Sequence, residues 1–182
     1  MSETNIYIVP VDEPFPGKRD HEAQVLAFLE EKQIVDGFYD EPKKWFAQGD
    51  NAHAIYAEPD HGGFEYAVIY DSAFAKLVPE IGYGFQLCPS CDGHLVHAID
   101  ELSETHLDED SYVNWDMSDE EVNCPHCQTR APLVLLATQP DTMMARFWIE
   151  FDCADGVDMS PLFLNGLAEI IGSPLVVLYE RM

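Results

Sequence analysis

Runs of apolar residues, alternating or clustered and separated by breakers, mark the regular elements of this chain. Ile6-Tyr7-Ile8-Val9 is β-rich, ends at Pro10 and predicts an N-terminal strand. Pro14, Pro16 and Gly17 mark a loop. Val25, Leu26, Phe28 and Leu29 give a wide apolar face to a helix expected from an Asp20 N-cap to about Val35. Glu22 suits its first turn, and Gly37 is the expected stop. Pro42 to Phe46 predicts a short helical turn. His53 to Glu58 and Phe64 to Tyr70 predict a hairpin joined through Pro59-Asp60-His61-Gly62-Gly63, whose glycines supply positive φ. Ala145 to Asp152, aromatic and β-branched, predicts a strand. Ser160-Pro161 signals a helix start, and Phe163, Leu167, Ile170 and Ile171 recur at helical spacing until Gly172 and Pro174. Leu175 to Tyr179 predicts a final buried strand.

The order is strand, helix, hairpin, a cysteine-bearing segment, strand, helix, strand. This is an α+β pattern, approximating two βα units folded together. The simplest architecture is a ferredoxin-like or related α/β sandwich formed by residues 1–84 and 136–182, with residues 85–135 inserted as a separate lobe.

Composition adds two constraints. Hydrophobic residues make up 47% of 182, enough to bury a core without help from a metal. Against that, 34 acidic residues face 9 basic ones, for a formal charge of -25. Such a surface repels nucleic-acid phosphates and anionic lipid heads and favours basic protein partners. No apolar run reaches membrane-spanning length, and Met1-Ser2-Glu3-Thr4 lacks a signal-peptide pattern, so the expected location is cytoplasmic. From Asp92 to Asn123 there is no lysine or arginine, and Asp100 to Glu121 carries ten carboxylates. That stretch reads either as a solvated loop and helix face or as an acidic docking surface.

The candidate chemistry lies in two cysteine pairs, Cys88-Pro-Ser-Cys91 and Cys124-Pro-His-Cys127. Each C-x-x-C turn presents two sulfurs from one tight backbone knuckle, and two knuckles complete a tetrahedral thiolate shell that suits zinc. A closed four-sulfur shell leaves no open coordination position, so Cys88, Cys91, Cys124 and Cys127 predict a structural rather than a catalytic metal. Over residues 85–135 the pairs resemble the knuckles of zinc ribbons, usually Cys-Pro-x-Cys-Gly. Pro89 and Pro125 match; Asp92 and Gln128 stand where the glycine would be, with Gly93 one residue later. The resemblance implies a fold element and no particular activity. The nucleic-acid role of many zinc ribbons does not transfer, because the intervening segment has no basic residue to meet phosphate. A rubredoxin-like iron site is the other metal possibility. His94, His97 and His126 are expected at the surface or behind the ligands, and Cys153 as a small buried thiol.

No H-E-x-x-H, G-x-S-x-G, Walker A or dinucleotide-binding pattern occurs, and His53 and His61 read as turn residues rather than catalytic ones. Three functions remain. One is a zinc-containing acidic module that binds or neutralises a basic protein, as inhibitors and immunity proteins do. The second is an accessory or regulatory subunit docking through its metal lobe. The third is an enzyme assembled from scattered residues.

Overall fold

The computed structural model describes residues 4–11, 21–41, 44–58, 62–78, 87–105, 115–133, 143–154 and 158–181. The mixed α/β fold contains strands β1 (Thr4–Pro10), β2 (Val35–Asp40), β3 (Trp45–Gln48), β4 (Tyr66–Val78), β5 (Glu121–Asn123), β6 (Arg130–Pro132), β7 (Met143–Phe151) and β8 (Leu175–Arg181). Among the described residues its helices are α1 (His21–Glu31), α2 (Val96–Glu104) and α3 (Pro161–Ile171). Six strands form one mainly antiparallel sheet in the order β2-β3-β4-β7-β1-β8, and β5 and β6 form a separate hairpin. The chain divides into two compact units, residues 1–71 with 147–182, and residues 72–146.

In the first unit, β1 is flanked by β7 and β8, with Ile6 opposite Phe151 on one side and Tyr179 on the other. Ile6, Ile8, Ile149 and Phe151 have no exposed surface and meet Val25 and Leu29 of α1 and Phe163 and Leu167 of α3 in one core. Strand alternation thus sends one face of the sheet to the two helices. Phe151 packs against Phe64, with ring centroids 4.8 Å apart.

Helix α3 follows its sequence signals. Ser160 accepts from the Phe163 amide, Pro161 opens the first turn, and Gly172 closes the helix in the left-handed region at φ 77°. Ser160→Ala leaves that amide without its cap, so we expect a loss of about 1 kcal/mol in denaturant unfolding. Helix α1 instead stops at Glu31, short of the expected Val35. Gln33 takes a left-handed conformation (φ 57°), and the Ile34 amide reaches back to the Leu29 carbonyl at 2.8 Å. That turn buries Ile34 and frees Val35 to begin β2.

Other expectations fail for identifiable reasons. Gly37 is no helix stop but lies within β2 at positive φ, where the β2–β3 register shifts. Trp45 and Phe46, expected in a helical turn, belong to β3. His53 to Glu58 is not a strand: Ala52–Ile55 is a 3₁₀ turn, followed by a single bridge from Tyr56 to Met159. Strand β4 pairs with β3 instead, Phe46 opposite Ala67. Strand β8 lies at the sheet edge and is not uniformly buried: Leu178 is buried, Leu175, Val176 and Val177 are half-buried, and Tyr179 is exposed. The loop around Pro14, Pro16 and Gly17 and the link 59–61 with His61 lie outside the described residues.

The second unit has its own core. Leu95 and Ile99, four residues apart at the start of α2, are fully buried with Leu77, Leu133 and Ala131, alongside Trp115, Met117 and Val122. Asp116 ties this core together. Its carboxylate accepts from the Ser118 hydroxyl at 2.7 Å and the Ala75 amide at 3.3 Å, and pairs with Arg146 at 3.4 Å. Among the described residues no helix is long and apolar enough to cross a membrane.

Candidate metal centre

Both cysteine pairs sit in turns held by their own backbone. In the first, a bridge between Leu87 and His94 brings the flanks together, and the Cys88 amide donates to the Gly93 carbonyl at 2.8 Å. In the second, β5 and β6 form the flanks, Val122 opposite Ala131, and the Cys124 amide donates to the Thr129 carbonyl at 3.0 Å. The two turns share the same main hydrogen bonds. The Asp92 amide reaches the Cys88 carbonyl and the Gln128 amide the Cys124 carbonyl, each at 2.9 Å. The Ser90 amide points at the Cys88 sulfur and the His126 amide at the Cys124 sulfur, each at 3.4 Å.

The glycine missing after each second cysteine has a structural counterpart. Asp92 (φ 56°) and Gln128 (φ 61°) both occupy the left-handed region that glycine adopts without strain. Asp tolerates this region better than Gln. Gln128→Gly is therefore expected to stabilise the second unit by about 0.5–1 kcal/mol, and Asp92→Gly by less, in thermal melts of the metal-bound protein. Gly93 has a different reason to be glycine. A Cβ there would collide with the imidazole of His126, so the two turns pack directly on each other.

That packing brings all four sulfurs within 4.8 Å of one another, with no disulfide. Cys88 lies 3.7 Å from Cys127 and Cys91 3.6 Å from Cys124, sulfur to sulfur. A tetrahedral shell with metal–sulfur bonds of about 2.3 Å has edges of about 3.8 Å, so the four thiols can hold one metal ion. Cys88 and Cys124 are buried in the unit's core, whereas Cys91 and Cys127 are exposed. The Gly93 amide lowers the pKa of Cys91, but sulfur contacts with Cys127, Cys124 and Cys88 together with desolvation outweigh it and push the thiol up to about 12. Hydrogen bonds from Thr129 bring Cys127 down to about 6.

His94, His97 and His126 are all exposed, and the sulfur cluster contains none of them. His53 is exposed in the 3₁₀ turn. Cys153 is half-buried rather than buried, at φ 50°, with its amide donating to the Asn5 side chain. Its sulfur lies within 4.8 Å of carboxylate oxygens of Glu65 and Asp152, a second donor group that this acidic composition readily produces without a metal. An open groove of about 550 Å³ runs between α1, the 3₁₀ turn and α3, lined by Phe28, Ile34, Leu162 and Phe163, with Lys32 and Glu169 as its charged residues.

The C-x-x-C spacing picks out the four clustered cysteines, but not the core beneath them. Leu95, Ile99 and Leu102 at helical spacing were the available signal, hidden among carboxylates. No protein-family model matches this chain, and comparisons with curated proteins and with solved structures find no match.

Proposed function

We propose that this protein is an acidic binding module, its second unit held by structural zinc, that captures a basic protein partner in the manner of an inhibitor or immunity protein. The charge of -25 carries this reading. A field of that size accelerates encounter with a positive surface and makes the complex salt-sensitive. Zinc is the ion assigned because a closed four-thiolate shell is its usual structural environment. For the first unit we favour a ferredoxin-like sandwich. The run β8-β1-β7-β4, with α1 after β1 and α3 between β7 and β8, supports that assignment, and β2 and β3 extend the sheet beyond it.

The test is capture of partners by the immobilised protein from its native lysate. A basic protein retained at low salt and released by moderate salt is the expected outcome. Finding no basic protein that behaves this way would sink the proposal.

The second reading, docking of the metal unit onto a larger assembly, draws on the exposure of the knuckle tips and of Glu101 and Asp119. Glu101→Lys with Asp119→Lys abolishes capture under that reading and only weakens it under the first.

A further inference from the structure

The sheet has a second face, turned away from α1 and α3. Phe46 and Ala67, paired across β3 and β4, point into the core. Alternation therefore turns Trp45 and Tyr66 to the other side. There the two rings lie face to face, centroids 4.2 Å apart and planes 2° from parallel. Tyr39 of β2 joins them, 5.6 Å from Tyr66 and 6.5 Å from Trp45. Tyr39 is 53% exposed, whereas Trp45 and Tyr66 are half-buried. Three aromatic rings on adjacent strands thus form a shelf that reaches solvent.

Carboxylates border the shelf. The Tyr39 hydroxyl donates to exposed Glu65 at 2.9 Å, and oxygens of Glu65 and Asp152 lie within 4.8 Å of each other. The tyrosines register this charge. Glu65, first through its hydrogen bond and then through its charge, raises the pKa of Tyr39, with further contributions from desolvation, Asp152 and Asp40. Tyr66 is raised by desolvation and then by Asp152 and Glu150.

We infer that this aromatic and acidic shelf, Tyr39, Trp45 and Tyr66 with Glu65 and Asp152, is the docking site for an arginine side chain of a basic polypeptide. The inference rests on the basic-partner reading above and names the surface and the side chain that it uses. Charge decides the occupant. An apolar partner would desolvate the carboxylates without compensation. A second copy of this chain would bring another charge of -25 against the first. A planar guanidinium meets both halves of the shelf, stacking on an aromatic face while its N–H groups donate to carboxylate oxygens. An ammonium is a strongly hydrated point charge and gains less from the ring faces.

The test titrates a nine-residue arginine peptide and a nine-residue lysine peptide into the full chain by calorimetry at fixed moderate salt. The arginine peptide is expected to bind about 2- to 5-fold more tightly than the lysine peptide. Tyr39→Ala and Glu65→Gln are each expected to weaken arginine binding about 5-fold and to remove the preference, whereas Glu30→Gln, at an exposed position of α1, leaves it intact. Shifts of the Trp45 indole resonance on adding the arginine peptide provide a readout in the unmutated protein.

Binding of both peptides, indifferent to Tyr39→Ala and Glu65→Gln and silent at Trp45, would overturn the shelf and leave the charge-driven reading standing. Equal binding of the two peptides, weakened by both variants, would overturn the arginine assignment. Failure of either peptide to bind even at low salt would overturn the basic-partner reading together with this one.

Discussion

Stripping the metal with a strong chelator under reducing conditions is expected to melt the unit formed by residues 72–146 while residues 1–71 and 147–182 stay folded. A structural zinc contributes on the order of 10 kcal/mol of apparent folding free energy, comparable with the whole stability of an ordinary domain. In the second unit this contribution falls on a small core. Cys88 and Cys124 are themselves buried members of that core, beside Leu95, Trp115 and Leu133. The β5–β6 hairpin has three residues in each strand. Hairpins that short are not stable alone. Hydrogen exchange after chelation should show rapid labelling across 87–95 and 115–133, with protection retained in β1, α1, α3 and β8. Cys124→Ser should behave like the chelated protein. Equal loss of protection in both units would contradict the account, and so would no loss in either.

The second large effect is expected in the first unit. Phe151 has no exposed surface, lies opposite Ile6 in the sheet and touches the rings of Phe64 and Phe163. Phe151→Ala removes those contacts and leaves a cavity where β7 meets both Phe64 and α3. The expected loss is about 3–5 kcal/mol in denaturant unfolding of this unit. Leu162, one residue before the buried Phe163 and 84% exposed, is the matching control: Leu162→Ala should change stability by less than about 0.5 kcal/mol. Similar losses in the two variants would mean that the helices do not pack on the sheet as described.

Where local signals and tertiary packing agreed, the fold was legible in the sequence. Ser160, Pro161 and Gly172 delimit α3 because each acts through its own backbone position. The four cysteines were legible because C-x-x-C presents two sulfurs whatever surrounds it. Legibility failed where long-range contacts chose between local alternatives. Gln33 carries no stop signal, yet it ends α1 because burying Ile34 and pairing Val35 in β2 outweigh another helical turn. Trp45 and Phe46 close to Pro42 suggest a turn until Ala67 is available to pair with Phe46 and Tyr66 to stack on Trp45. The acidic stretch concealed a core for a similar reason. Carboxylates dominate its composition, whereas Leu95, Ile99, Trp115 and Met117 determine its packing. Asp92 and Gln128 take glycine's left-handed conformation under the constraint of the knuckle, which no local preference for those residues would predict.

The central claim is that four cysteines from two knuckles hold one structural zinc ion. Native mass spectrometry of the purified chain under reducing conditions tests it most directly, read beside the Cys124→Ser variant. The account predicts one zinc per chain in the unaltered protein and its loss from the variant. A metal-free chain whose second unit is fully protected from exchange, or one carrying iron in place of zinc, would contradict it.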